Sequence, residues 1–163
     1  MEDNFKIGGI FNVVCYDKDG VEKWRDEAKN IVPDAGLNHI LDVVVHGTTA
    51  VSPWYIGLKG VGTAVAADTL ASHASWTENT AYTGDRKEMV EAAASGKSIS
   101  NSASKATFAI TSDAQTIAGS FLASTATGTS GVLLSVADFT GGNKSCDSGD
   151  SLEVTYTLSA ATS

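Results

Sequence analysis

The sequence predicts a mainly β fold, an antiparallel β-sandwich or jelly-roll-like barrel with one short α-helix over residues 34–45. Three observations predict it. In the closing stretch SGDSLEVTYTLSAATS, Leu152, Val154, Tyr156 and Leu158 point one way, and Glu153, Thr155, Thr157 and Ser159 the other. That alternation is the signature of a strand with one wet face. Short runs rich in β-branched and aromatic residues recur between turn-rich pieces such as TATGTSG and TGGNKSCDSGD. Finally, one stretch alone changes to a clear helical period.

Taken in order, Gly9–Tyr16 (GIFNVVCY) reads as a strand. Asp17-Lys18-Asp19-Gly20 then supplies the Asp-Gly pair that a primed hairpin turn favours. Val21–Arg25 is expected to pair back, with Trp24 on the returning strand. In the helical stretch, Leu37, Ile40, Leu41 and Val44 recur at i, i+3, i+4 and i+7 and form one apolar face. Asp34 is the expected N-cap and Gly47 the expected stop. The β-branched residues in this helix lower its intrinsic propensity, so packing has to hold it.

Trp54–Gly60 (WYIGLKG) reads as a buried strand. Residues 61–85 read as a loop-rich insertion, with ADTLASHASW as a short helical turn and TENTAYTGD as a surface loop. Strands follow at Glu88–Ala94, Ala106–Thr111, Thr116–Ala123, Val132–Phe139 and Leu152–Leu158. The second and third of these are expected to form a hairpin through Ser112-Asp113-Ala114. No fixed-period repeat or low-complexity linker divides the chain, so residues 1–163 are expected to form a single β-rich domain.

Composition bounds function. Hydrophobic residues make up 42% of the 163 and charged residues 18%, which places the chain among globular rather than disordered proteins. Net charge is −8, and the one adjacent basic pair, Arg86-Lys87, is flanked by Asp85 and Glu88. That pattern speaks against a nucleic-acid partner. Met1-Glu2-Asp3-Asn4 lacks the basic start of a leader, and the apolar run Ile40–Val45 carries Asp42 and is too short for a bilayer. The expectation is synthesis in a cytoplasm and no membrane partner. Two cysteines in such a chain are expected to be reduced, although Cys15 and Cys146 can pair if the fold brings them together.

Chemical motifs fail on inspection. EAAASGKS ends like a phosphate loop but carries Glu91 where that loop needs glycine. Gly60-x-Gly62 lacks the third glycine of a dinucleotide fingerprint. His39, His46 and His73 have no partner at metal-ligand spacing. Asp17-x-Asp19-Gly20 starts like a calcium loop, but the later ligands are missing and a hairpin turn accounts for it. Asp68, Glu78 and Asp85 are scattered in the loop-rich middle. The expectation is no catalytic residue, no metal site and no cofactor. Trp24 and Trp54 are expected in the core. Trp76 and Tyr82, in a polar loop, are the favoured interface residues, with Arg86 and Tyr156 as further interface candidates.

The segments NIVPDAGLNHIL, WYIGL, ADTLASHASWTE, SISNSASKATFAI, IAGSFL and SGDSLEVTYTLS together resemble small virion proteins encoded near the head genes of tailed bacteriophages, of the head decoration or cement kind. The resemblance implies a non-enzymatic β-rich module on the outside of a capsid lattice, commonly a trimer. Its partners would be the major capsid protein and copies of itself, and its location the virion surface. The helix departs from a purely β module. The alternative reading is a phage tail, fibre or receptor-binding module that recognises a host surface glycan. A flat terminal strand is a pairing hazard. Either a neighbour within its own sheet covers it, or a partner chain does.

Overall fold

The alternation in the closing stretch builds the centre of a sheet, not its edge. In the computed structural model, which describes residues 5–162, strand β12 (Ser151–Thr162) runs antiparallel to β1 (Phe5–Tyr16). Their register is unbroken from Phe5 opposite Thr162 to Tyr16 opposite Ser151. On its other side β12 pairs with β6 (Ser98–Ser100) and with β7 (Ala106–Ala109). The open side of β1 takes β2 (Glu22–Lys29) through the expected Asp-Gly hairpin. The chain's own strands therefore cover the closing strand on both sides. The acidic start Met1–Asn4 lies outside the described residues.

The hairpin forms, but without the primed turn expected of Asp19-Gly20, because Asp19 does not take the positive φ that such a turn needs. Gly20 sits at φ 79°, a conformation that glycine adopts without steric cost. The Asp17 carboxylate accepts the amides of Asp19 and Val21 at 2.9 Å each.

A second antiparallel sheet centres on β3 (Tyr55–Gly62). It is flanked on one side by β9 (Gly119–Ala123) and then β10 (Leu133–Asp138). On the other side lie β4 (Trp76–Asn79) and β5 (Lys87–Glu88). A short ribbon joins β8 (Gln115–Ile117) to β11 (Lys144–Cys146). Phe11, Val13, Val154 and Tyr156 from the first sheet share one core with Ile56, Leu58, Leu122 and Leu134 from the second. The arrangement is a β-sandwich, as expected from the pattern of short strands.

The second sheet is covered on both faces. Its outer side chains Phe121, Ala123, Leu133 and Val136 pack with Ala64, Leu70 and Trp76 from the loop-rich insertion and its margin. That cover is why β9 is buried at every position and shows no alternation in its sequence. Gly57 permits it: a Cβ there would fall 2.2 Å from the Phe121 ring, which lies across the glycine.

Several local expectations are corrected. TENTAYTGD is not a free surface loop, because it supplies β4, and Tyr82 bridges to Ile110. ADTLASHASW forms turns, not a helical turn, organised by the Asp68 carboxylate, which accepts the amide of Val65 at 2.8 Å and the Trp76 indole N–H at 2.9 Å. Of the strand expected over Glu88–Ala94, only Glu88 is strand, as the second residue of β5 (Lys87–Glu88). β7 and β8 do not pair with each other. The chain turns at Ala114 (φ 54°) and sends them to different sheets. The expected helix is α1 (Asp34–Leu41) followed by a π-helical turn (Asp42–His46) that ends at Gly47, φ 80°. Its N-cap is Pro33 and not Asp34, which is the first helical residue.

Candidate functional site

Of the apolar face expected on the helix, Ile40 packs against the core, but Leu37, Leu41 and Val44 are exposed. Leu37 is 40% exposed, Leu41 61%, Val44 75% and Val45 80%. These four recur at i, i+4, i+7 and i+8, so they form one outward stripe. What holds the helix down is the other side. Gly36 is buried, and a Cβ there would meet the Leu134 carbonyl oxygen at 2.7 Å, so the helix backbone lies almost on β10. Ile40 packs on the edge of the core. The Asp34 amide donates to the Ala66 carbonyl at 2.9 Å, tying the first turn to the insertion.

Beside the stripe lies an apolar groove of about 210 Å³ between the helix and residues 50–54. Ile40, Val43, Val44, Val51, Trp54 and Leu134 line it. The His39 ring, also on its lining, stands edge-on to Trp54 at 5.6 Å. Val44 belongs to both the stripe and the groove, so the two adjoin on an acidic protein. Exposed apolar surfaces of this kind mark contacts with proteins, membranes or ligands.

The four residues singled out from the sequence are all interior. Trp76 is 3% exposed, Tyr82 6%, Arg86 6% and Tyr156 fully buried. Trp76 was expected on a polar loop; instead it stacks on His73 at 3.9 Å and tilts against Phe121 at 5.4 Å. Tyr82 meets Phe108 edge-on at 4.8 Å, and burial holds its phenol above the ordinary value. Arg86 forms a two-pronged pair with Glu78, at 2.8 and 2.7 Å, and donates to the carbonyls of Thr125 and Gly128. Tyr156 stacks on Phe11 at 4.2 Å, and its hydroxyl accepts from Asn30 at 3.1 Å. The polar neighbours of Trp76 and Tyr82 in sequence disguised them: Asp68 and Glu78 serve as internal partners for Trp76 and Arg86. Trp24 and Trp54, expected in the core, are only partly buried against it.

Polar chemistry gathers at one further place. The sulfurs of Cys15 and Cys146 lie 3.9 Å apart, both buried, beside Asp150. The two sulfurs and a carboxylate oxygen of Asp150 lie within 4.8 Å of one another, the one cluster of metal-ligand type among the described residues. Asp150 Oδ2 is already engaged. It accepts from Lys23 Nζ at 2.6 Å and from the Asp147 amide at 2.8 Å. An ammonium on that oxygen opposes a metal ion there.

Comparison with protein-family models, curated proteins and solved structures found no match to this chain. No helix among the described residues is long and apolar enough to cross a membrane.

Proposed function

We propose that this chain is a non-enzymatic structural protein of a phage virion, which binds the outside of the capsid lattice and stabilises it as a trimer. The observation that carries the protein-binding part is the outward stripe Leu37, Leu41, Val44 and Val45 on a helix clamped to the sandwich. Four apolar side chains in one row cost solvation in an isolated molecule and become favourable when a second surface covers them. The lattice part rests on the resemblance of the segments quoted above to head decoration proteins. In this reading the stripe and groove of each copy pack against a neighbouring copy around a three-fold axis, and the trimer binds the shell at a symmetry-related position. Many such attachments on one particle turn individually weak contacts into firm retention.

The glycan-binding alternative loses its footing, because Trp76 and Tyr82 are not free to stack on a sugar. The direct test has two arms. Light scattering should give three times the chain mass of 16.8 kDa. Heads of the phage whose genome carries this sequence, stripped of accessory proteins, should pull the purified chain down in a sedimentation gradient to a saturating stoichiometry. A chain that stays in the supernatant at every concentration defeats the lattice reading.

A further inference from the structure

The two cysteines stand 131 positions apart in sequence and meet in the interior with nothing between their sulfurs. Cys15 is near the end of β1, the strand locked between β2 and β12. Cys146 ends β11, a three-residue strand whose one ladder partner is β8. One sulfur is therefore held firmly. The other sits on a short ribbon that runs straight into the Asp147–Asp150 turn. Closing the gap from 3.9 Å to bond length brings the two sulfurs together across the join between β1 and the ribbon.

From this geometry we infer that Cys15 and Cys146 are a redox pair, closing reversibly to a disulfide that ties the central strand to the β8–β11 ribbon. The two thiols share one hydrogen bond in which either sulfur can donate, and Cys15 also faces the Asp150 carboxylate at 4.0 Å. Lys23 is the nearby cation that favours a thiolate at either sulfur, against burial and the charge of Asp150. Ionising one thiol leaves the other as its hydrogen-bond donor, so one cysteine attacks the oxidant and the other resolves. Lys23 is kept charged by Asp150 and Asp147.

With hydrogen peroxide as the two-electron oxidant, the thiolate of one cysteine attacks one oxygen and the O–O bond breaks. The departing hydroxide takes up a proton and leaves as water, and that cysteine becomes a sulfenic acid. The sulfur of the other cysteine then attacks the oxidised sulfur. The S–O bond breaks, and the hydroxide leaves as water with the proton of the second thiol. Two thiols give up two electrons and two protons, and one peroxide becomes two waters. Both sulfurs are fully buried, so peroxide reaches them through local opening, and the nearby Asp147 side chain is 55% exposed.

The test uses the full chain, purified with its thiols reduced. It is treated with hydrogen peroxide, denatured, alkylated with N-ethylmaleimide and weighed by mass spectrometry. The expected result is the loss of two hydrogens, no alkylated cysteine, and a tryptic peptide pair joining residues 15 and 146. Dithiothreitol should restore two alkylated sites. The oxidised chain should also unfold at a higher temperature than the reduced one, because the closed loop restricts the unfolded chain. Three results overturn the inference: two alkylatable thiols after peroxide, oxidation that stops at separate sulfinic acids, or disulfides joining different molecules on a non-reducing gel. Retention of one zinc per reduced chain through dialysis would do so as well, since the pair would then be a metal site. None of these readings depends on a cysteine variant that folds.

Discussion

One of the buried cations, Arg86, shows how much this interior asks of its polar groups. Arg86 satisfies its guanidinium with both oxygens of Glu78 and two loop carbonyls while lying 5.2 Å over the Phe121 ring. Removing one member of such a pair leaves the other charged and desolvated. Arg86→Ala should therefore lower the free energy of unfolding by about 3–5 kcal/mol in a urea titration. The double change Arg86→Met with Glu78→Leu should recover much of that loss, because it removes the stranded charge and keeps the volume. The buried phenols give a second expectation. Burial holds Tyr82 and Tyr156 above the ordinary value of 10.0, so the folded chain keeps protons that the unfolded chain releases. Their contribution is complete below about pH 10 and declines as pH rises past it, by about 1.4 kcal/mol per pH unit for each tyrosine. Unfolding measured between pH 8 and 11 should show this alkaline decline, and Tyr82→Phe should make it shallower.

The helix shows where sequence reading succeeds and where it stops. Its position, its end at Gly47 and its apolar row Leu37, Leu41 and Val44 are all legible, because period and glycine are local signals. Which side of the helix faces the sheet is not local. Gly36 decides it by letting the backbone approach Leu134, and a lone glycine in a helix looks only like a propensity defect. Gly36→Val should force the helix off β10 at a cost of about 1–3 kcal/mol, read as a drop in unfolding midpoint and faster amide exchange over residues 34–46. The strands divide along the same line. β1, β2, β10 and β12 were readable because each shows alternation, β-branched residues or a hairpin turn. β9 was readable only as an apolar run, because the insertion covers its second face. The pairing of β7 with β12, and of β8 with β11, was invisible because the turn between them is the same turn a hairpin would use. The candidate site fared worst. An aromatic residue among polar neighbours looks exposed unless those neighbours turn inward, and here Asp68 and Glu78 do.

Across the whole molecule, stability and association are placed in different residues. Stability resides in the sandwich core, where the ladder between β1 and β12 joins strands from opposite ends of the chain. Association, in the proposed reading, resides in the helical stripe, which touches little of that core. The edge strand β2 is a poor competitor for the role. Its sequence EKWRDEAK places charge along its length, and the Asp26 carboxylate holds the amides of Thr140 and Gly141 at 2.9 Å each, laying a loop against it. Charge and cover are the devices that stop edge-to-edge pairing. The two functions should therefore separate under mutation. Leu152→Ala, at a fully buried position on β12, should cost about 2–5 kcal/mol in urea unfolding while the mass in solution below the transition stays that of the assembled form. Leu41→Asp with Val44→Asp should do the reverse. At such exposed positions the unfolding free energy of the single chain should move by only about 0.5 kcal/mol per site, while light scattering reports the monomer mass. A double variant that stays assembled would move the interface off the helix.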